Sequence, residues 1–217
     1  GKQPIEPGDV CWADLNNDGV INNLDRVKVG NLFPTVTGGF STTLGYKDFS
    51  LYARFDYALG HTLYNDLAAR SLGQYQGSFN IIDMVKDSWS ETNQNTDIPK
   101  FYYADQLSKK NITRSNNGLT AVDNNSSRFY EKGDYLALRE ITLTWNLPKK
   151  WINKALMSNA SVYVTGQNLF YITGYTGVSP EPAVDTTYGQ GLDNGRYPTP
   201  KTVLLGLSLI HISEPTR

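Results

Sequence analysis

The chain has 217 residues, enough to bury a real core, and its formal net charge is -1 with a pI near 6.1. That balance supplies neither a basic field for nucleic acid nor a polybasic membrane tether, so nucleic-acid binding is disfavoured. Only 39% of residues are hydrophobic and mean hydropathy is -0.43, yet 14 Tyr, 8 Phe, 4 Trp and 19 Gly point to β-structure rather than a Leu-rich helical core.

Residues 1 to 35 are rich in Pro, Gly, Asn and Asp and read as loop. They begin at Gly1-Lys2-Gln3-Pro4 without Met or leader, as expected of a piece of a longer protein. Cys11 is the single cysteine, so no internal disulfide forms, and a small buried residue is the expectation. Asp14, Asn16, Asp18, Asn22 and Asp25 then place side-chain oxygens in the register of a calcium loop, with the Val20 carbonyl between them and Gly19 at the sharp turn. Asp25 stands where a helix-flanked calcium loop carries Glu, and its shorter arm suggests weaker binding, in the range of extracellular modules. The competing reading is an Asn/Asp/Gly turn without metal.

Strict alternation begins at Thr37 to Tyr46, where Phe40, Leu44 and Tyr46 share one face. After Lys47-Asp48, the segment Phe49 to Gly60 sets Phe49, Leu51, Ala53, Phe55, Tyr57 and Leu59 against Ser50, Tyr52, Arg54, Asp56 and Ala58, predicting a hairpin. Short helices are expected between Leu67 and Trp89, with Ile81, Ile82 and Val85 on one face, and an exposed polar tip from Asn111 to Ser127. Three more strands follow: Tyr135 to Leu147, Ala160 to Tyr171, and Thr202 to Leu209.

Connections alternate short, long, short, long, and the strands match the 9 to 11 residues that a tilted strand needs to cross a bilayer. Tyr46, Phe49, Trp145, Trp151, Phe170 and Tyr171 near strand ends fit interfacial girdles. No stretch is apolar enough for a transmembrane helix.

Catalytic constellations are sparse. His61 and His211 are the only histidines, Glu140 and Asp134 are the one carboxylate pair worth naming, and neither Thr37-Gly38-Gly39 nor Gly189-Gln190-Gly191 precedes a helix. An enzyme is not expected. Arg54 and Asp56 on the polar face suit either solute tuning or a structural ion pair. Among loop aromatics, Trp89, Tyr102, Tyr103 and Tyr188 are the candidates for stacking on a solute, with loop packing as the plainer alternative.

An ordered set of segments resembles the C-terminal part of the SusC/RagA family of TonB-dependent outer-membrane transporters. It includes Gly8-Asp9-Val10, Asp14 to Ile21, Gly45-Tyr46-Lys47-Asp48-Phe49, Gly133-Asp134-Tyr135-Leu136, Leu147-Pro148-Lys149-Lys150-Trp151, Val162 to Phe170, and Tyr197-Pro198-Thr199-Pro200. The resemblance implies an all-β, antiparallel up-and-down transmembrane barrel of about 22 strands, of which this chain holds about the last five, with long extracellular loops. It further implies import of glycans, oligosaccharides or peptides across the outer membrane of a Bacteroidetes-like Gram-negative cell, contact with membrane lipid, and a SusD-like surface lipoprotein as lid. The TonB complex would be reached through an N-terminal region preceding this segment. Residues 1–206 read as barrel; 207–217, ending Ser213-Glu214-Pro215-Thr216-Arg217, resemble a translated sequencing adapter and are expected to be a non-native tail. The alternative function is a secreted β-rich calcium-binding carbohydrate-binding or adhesion module. The two part on one feature: a transporter leaves Phe49, Leu51, Phe55, Tyr57, Ile141, Leu143 and Trp145 uncovered, whereas a closed sandwich buries them.

Overall fold

The computed structural model describes residues 6–11, 13–20, 23–69, 82–101, 127–155, 157–181, 191–195 and 197–211. All five expected strands are present. β1 (Val36–Tyr46) and β2 (Phe49–Leu59) make the hairpin, with β3 (Thr62–Asn65) and the short helix α1 (Asp66–Ala69) following. β4 (Tyr130–Lys132) leads to β5 (Tyr135–Asn146), then α2 (Lys149–Ile152), β6 (Met157–Thr173), β7 (Leu192–Asp193) and β8 (Thr202–His211). Among the described residues no helix is long and apolar enough to cross a membrane.

The main sheet is antiparallel and open, in the order β1-β2-β5-β6-β8. Tight turns join β1 to β2 and α2 bridges β5 to β6 at one end, called here the turn end; the long connections lie at the other, the loop end. Lys47 takes left-handed backbone (φ 52°), as the two-residue hairpin turn demands. Register puts like with like: Phe40 faces Phe55 and Leu44 faces Leu51, then Leu51 faces Leu143 and Leu143 faces Val164, which faces Leu205. One face is therefore a continuous apolar band. Its opposite carries Tyr52, Arg54, Asp56, Glu140, Thr142 and Thr165, with the Thr142 and Thr165 hydroxyls 2.8 Å apart.

Two register shifts, at Arg54/Phe55 against β5 and at Leu138/Glu140 against β6, meet at Arg139. Arg139 is the extra residue of β5 opposite β2, so Leu136 and Leu138 stay on the apolar face with Ile141 while Arg139 turns to the polar face. Re-aiming a side chain is what a bulge does.

A second, three-stranded sheet, β4-β3-β7, sits at the loop end, and the pairing of β3 with β7 is parallel. No alternation announced it. Among the described residues this end packs its own interior: Leu63, Tyr64, Ala69 and Phe129 are buried, and so are the polar His61, Asn65, Asp66 and Asp193. Asn65 starts α1 by accepting the Ala68 amide at 3.0 Å. Glu131 accepts the Thr176 amide and hydroxyl, both at 2.8 Å, and tethers the chain after β6 to this sheet.

Several expectations need correction or placing. Cys11 is exposed, not buried: it lies in an irregular segment outside every strand and helix, with no core to enter. Between Leu67 and Trp89 the described structure is α1 and a 3-10 turn at Asp83–Asp87, with Ile82 exposed and Val85 half-buried. Ile81 lies outside the described residues, as does the expected tip at 111–126; Ser127 opens a 3-10 turn instead. β8 runs on through Leu207 to His211, since Leu207, Leu209 and Ile210 continue a pattern that can pair with β6.

Candidate functional site

The apolar band is the most extensive feature. Phe49 is 47% exposed, Leu143 44% and Leu205 80%, and Phe40, Leu44, Val203, Leu207 and Leu209 are exposed as well. Leu51, Phe55, Tyr57, Ile141 and Trp145 are half-buried by their neighbours within the sheet. Among the described residues no second sheet lies over them, the arrangement expected of a transporter wall. At the turn end Phe49 stacks on Trp145 (6.1 Å between ring centres) and Trp145 meets Trp151 edge-on (5.9 Å). With Tyr46, opposite Phe49, these rings form an aromatic cluster at the turn end, where an interfacial girdle was expected. Tyr171 does not join a girdle at the other end: its hydroxyl lies on the polar face, bound to Arg139 and Glu181.

Arg139 is the centre of that face. Its guanidinium donates through Nε and Nη2 to the Asp56 carboxylate, through Nη1 to the Tyr171 hydroxyl at 3.0 Å, and lies 2.5 Å from Glu181. The Tyr171 hydroxyl in turn donates to Glu181 at 2.6 Å. Asp56 thus pairs with the neighbouring strand and not with Arg54, two residues away on its own. Alternation places Arg54 and Asp56 on one face but says nothing about the bulge that brings Arg139 across. The signal was available: Leu136 and Leu138 fall out of phase with Ile141, Leu143 and Trp145, so one inserted residue was implied.

Of the candidate aromatics, only Trp89 is described; Tyr102, Tyr103 and Tyr188 lie outside the described residues. Trp89 is half-buried and its ring lies against Gly8, where even a methyl group would come within 2.4 Å of it. Its amide is held by the Ile98 carbonyl at 2.9 Å. Trp89 therefore packs the loop end together. Nearby, a cleft of about 690 Å³ opens between Met84, Asp87, Asn93, Asp97, Arg128 and Glu131. Tyr175 and Asp193 are both buried, the Tyr175 hydroxyl donating to Asp193 at 2.8 Å, and Asp193 also accepts the Val178 and Gly195 amides. Burial, then the hydrogen bond and charge of Asp193, push the Tyr175 hydroxyl well above the usual tyrosine range.

The Asp14 loop folds on itself. Asp14 accepts the Asp18 and Gly19 amides (3.2 and 2.7 Å), Asn16 donates to Asp18 at 2.8 Å, and Asp25 closes the loop on the Leu15 amide at 2.9 Å. Asn17 and Gly19 adopt positive φ (59° and 78°). Asp14, Asn16, Asp18 and Asp25 thus spend their side-chain oxygens or amide within one compact turn, with the Val20 amide bound to Asp18 at 2.8 Å. Asn22 lies outside the described residues. Among the described residues no three His, Cys, Asp or Glu side chains are gathered to hold a metal. Asp134 and Glu140 do not act as a pair: Asp134 accepts the Gly60 amide at 2.6 Å, and Glu140 the Thr142 hydroxyl at 3.3 Å.

No family model matches the chain. The sequence is 31% identical over 210 residues to TonB-dependent receptor P3 of Formosa agariphila, covering 94% of this chain and 19% of that protein. It is 26% identical over 209 residues to the TonB-dependent receptor SusC of Bacteroides thetaiotaomicron, covering 95% of this chain and 18% of that protein. Among solved structures it is similar to the RagAB peptide transporter, with a TM-score of 0.61 at 26% identity, covering 82% of this chain and 17% of that one. A RagAB peptide importer in an open-open state gives a TM-score of 0.56. The chain spans about a fifth of the length of the curated relatives it matches.

Proposed function

This chain belongs to the SusC/RagA family of TonB-dependent receptors, and we propose that it supplies a wall segment and extracellular loops to an outer-membrane importer. The observation that carries the reading is the uncovered apolar band backed by a polar face on an open antiparallel sheet. A lipid bilayer is the medium that such a band fits; in water, so large a patch on a free-standing module promotes association. The open edges, β1 and β8, are where neighbouring strands would pair, since every backbone group within a bilayer needs a partner.

In this reading the loop-end sheet and the cleft beside it face the cell exterior, and the polar face with Asp56 and Arg139 lines the lumen. The solute is a glycan, oligosaccharide or peptide, a SusD-like lipoprotein closes over the loops, and TonB supplies the energy through the N-terminal part of the longer protein. The partner and energy source rest on the family alone; the segment contributes passage and contact, not chemistry. Calcium at Asp14, Asn16, Asp18, Val20, Asn22 and Asp25 would staple a loop at the mouth, the compact donor turn being its support. The test is uptake of labelled oligosaccharides and peptides by cells making the full-length protein. Saturable uptake abolished by an uncoupler supports the reading; uptake indifferent to the proton gradient contradicts it.

A further inference from the structure

We propose that His61 and Arg139 form a two-point strap that holds residues 175–181 against the polar face of the wall and so narrows the passage beside it. Two adjacent residues of that segment are gripped by groups from elsewhere in the chain. The Pro180 carbonyl lies 2.8 Å from His61 Nε2, and the Glu181 carboxylate meets the Arg139 guanidinium at 2.5 Å and the Tyr171 hydroxyl at 2.6 Å. Both anchors are rigid. His61 is 1% exposed, edge-on to Tyr135 at 6.2 Å, and lies so close to Gly133 that a Cβ there would come within 2.2 Å of its ring. Arg139 is fixed on the wall side by Asp56 and is flanked by the Tyr135 and Tyr171 rings.

The division of labour follows from where each carboxylate sits. Asp56 comes from β2, inside the sheet, and takes two guanidinium nitrogens side by side, the more directional arrangement. Glu181 comes from the segment after β6 and is the member of the cluster that can leave without disturbing the strands. Upstream, Thr176 is tied to Glu131 and Val178 to Asp193, so the segment approaches the wall from a fixed base and Glu181 sets its direction. The narrowing of a passage rests on the transporter reading above; the strap itself does not.

Hydrogen exchange of residues 176–181 in the full-length protein tests the strap. Glu181→Gln should raise exchange there about tenfold, as expected for a lost charge-assisted hydrogen bond, while β5 and β6 keep wild-type protection. Asp56→Asn should leave 176–181 closer to wild type, because Glu181 still holds Arg139. Exchange in Glu181→Gln within twofold of wild type overturns the strap. Entry of a bulky antibiotic through the outer membrane tests the narrowing separately: it should rise in Glu181→Gln, and unchanged entry alongside raised exchange overturns the narrowing. The exchange result does not depend on whether the apolar band faces lipid; the entry result does, and labelling of the band reads that on its own.

Discussion

Replacing Ile141 with Arg places a cation near the middle of β5 on the apolar face, opposite Ala53 and Gly166. If that face meets lipid, the penalty follows depth: about 2–4 kcal/mol at the bilayer midplane, falling to about 0–1 near the interface. The structure orders the series, because Ile141, Leu143 and Trp145 step along one face from mid-strand toward the aromatic girdle at Phe49 and Trp151. Ile141→Arg is expected to cost about 3 kcal/mol, Leu143→Arg about 2, and Trp145→Arg least in charge burial, though it also loses its ring contacts. Thr142→Arg points the same cation to the polar side and should cost within about 1 kcal/mol, since the lost hydroxyl bonds to Thr165 and Glu140 are partly offset by the new charge beside Glu140. Urea titration of the full-length protein folded into vesicles, scored by heat-modifiable gel mobility, measures the series. Equal costs for Thr142→Arg and Ile141→Arg would refute the assignment of faces.

Gly133→Ala drives a methyl into His61, and a loss of about 1–3 kcal/mol is expected in thermal unfolding, since the ring is enclosed. Tyr175→Phe should cost about 1.5–3 kcal/mol at neutral pH by removing a hydrogen bond to a buried carboxylate. Because the folded Tyr175 holds its proton above the ordinary value, this contribution is complete below about pH 10 and is lost as pH rises toward the folded value. The stability gap between wild type and Tyr175→Phe should therefore stay constant up to about pH 10 and shrink above it. Millimolar calcium should protect residues 14–25 from protease, and Asp14→Ala should abolish the protection; no calcium dependence in the wild type would leave only a turn.

The strands of the main sheet were legible because a sheet with one apolar face writes its period directly into the chain, as Phe49 to Leu59 does. Their loop-end partners were not. β3, β4 and β7 are two to four residues long, and the β3–β7 pairing joins segments remote in sequence, so neither period nor turn chemistry marks them. The Arg139 cluster was half-legible: Asp56 was visible as a charge on the polar face, but its partner depended on a bulge that only the broken phase of Leu136, Leu138 and Ile141 betrays. Trp89 stood out as an aromatic in a loop, and sequence could not distinguish stacking on a solute from stacking on Gly8. The donor spacing from Asp14 to Asp25 predicted the compact turn, since the Asn17 and Gly19 backbone and the Asp14 carboxylate complete it.

The lipid-facing band is tested most directly by spin labels placed one at a time along β5 from Glu140 to Trp145 in the full-length protein, with Cys11 replaced by Ser. Accessibility to oxygen, which concentrates in the bilayer, should peak at 141, 143 and 145, while accessibility to a water-soluble nickel chelate peaks at 140, 142 and 144. Strong nickel accessibility at 141 and 143, or no period of two at all, would contradict the account.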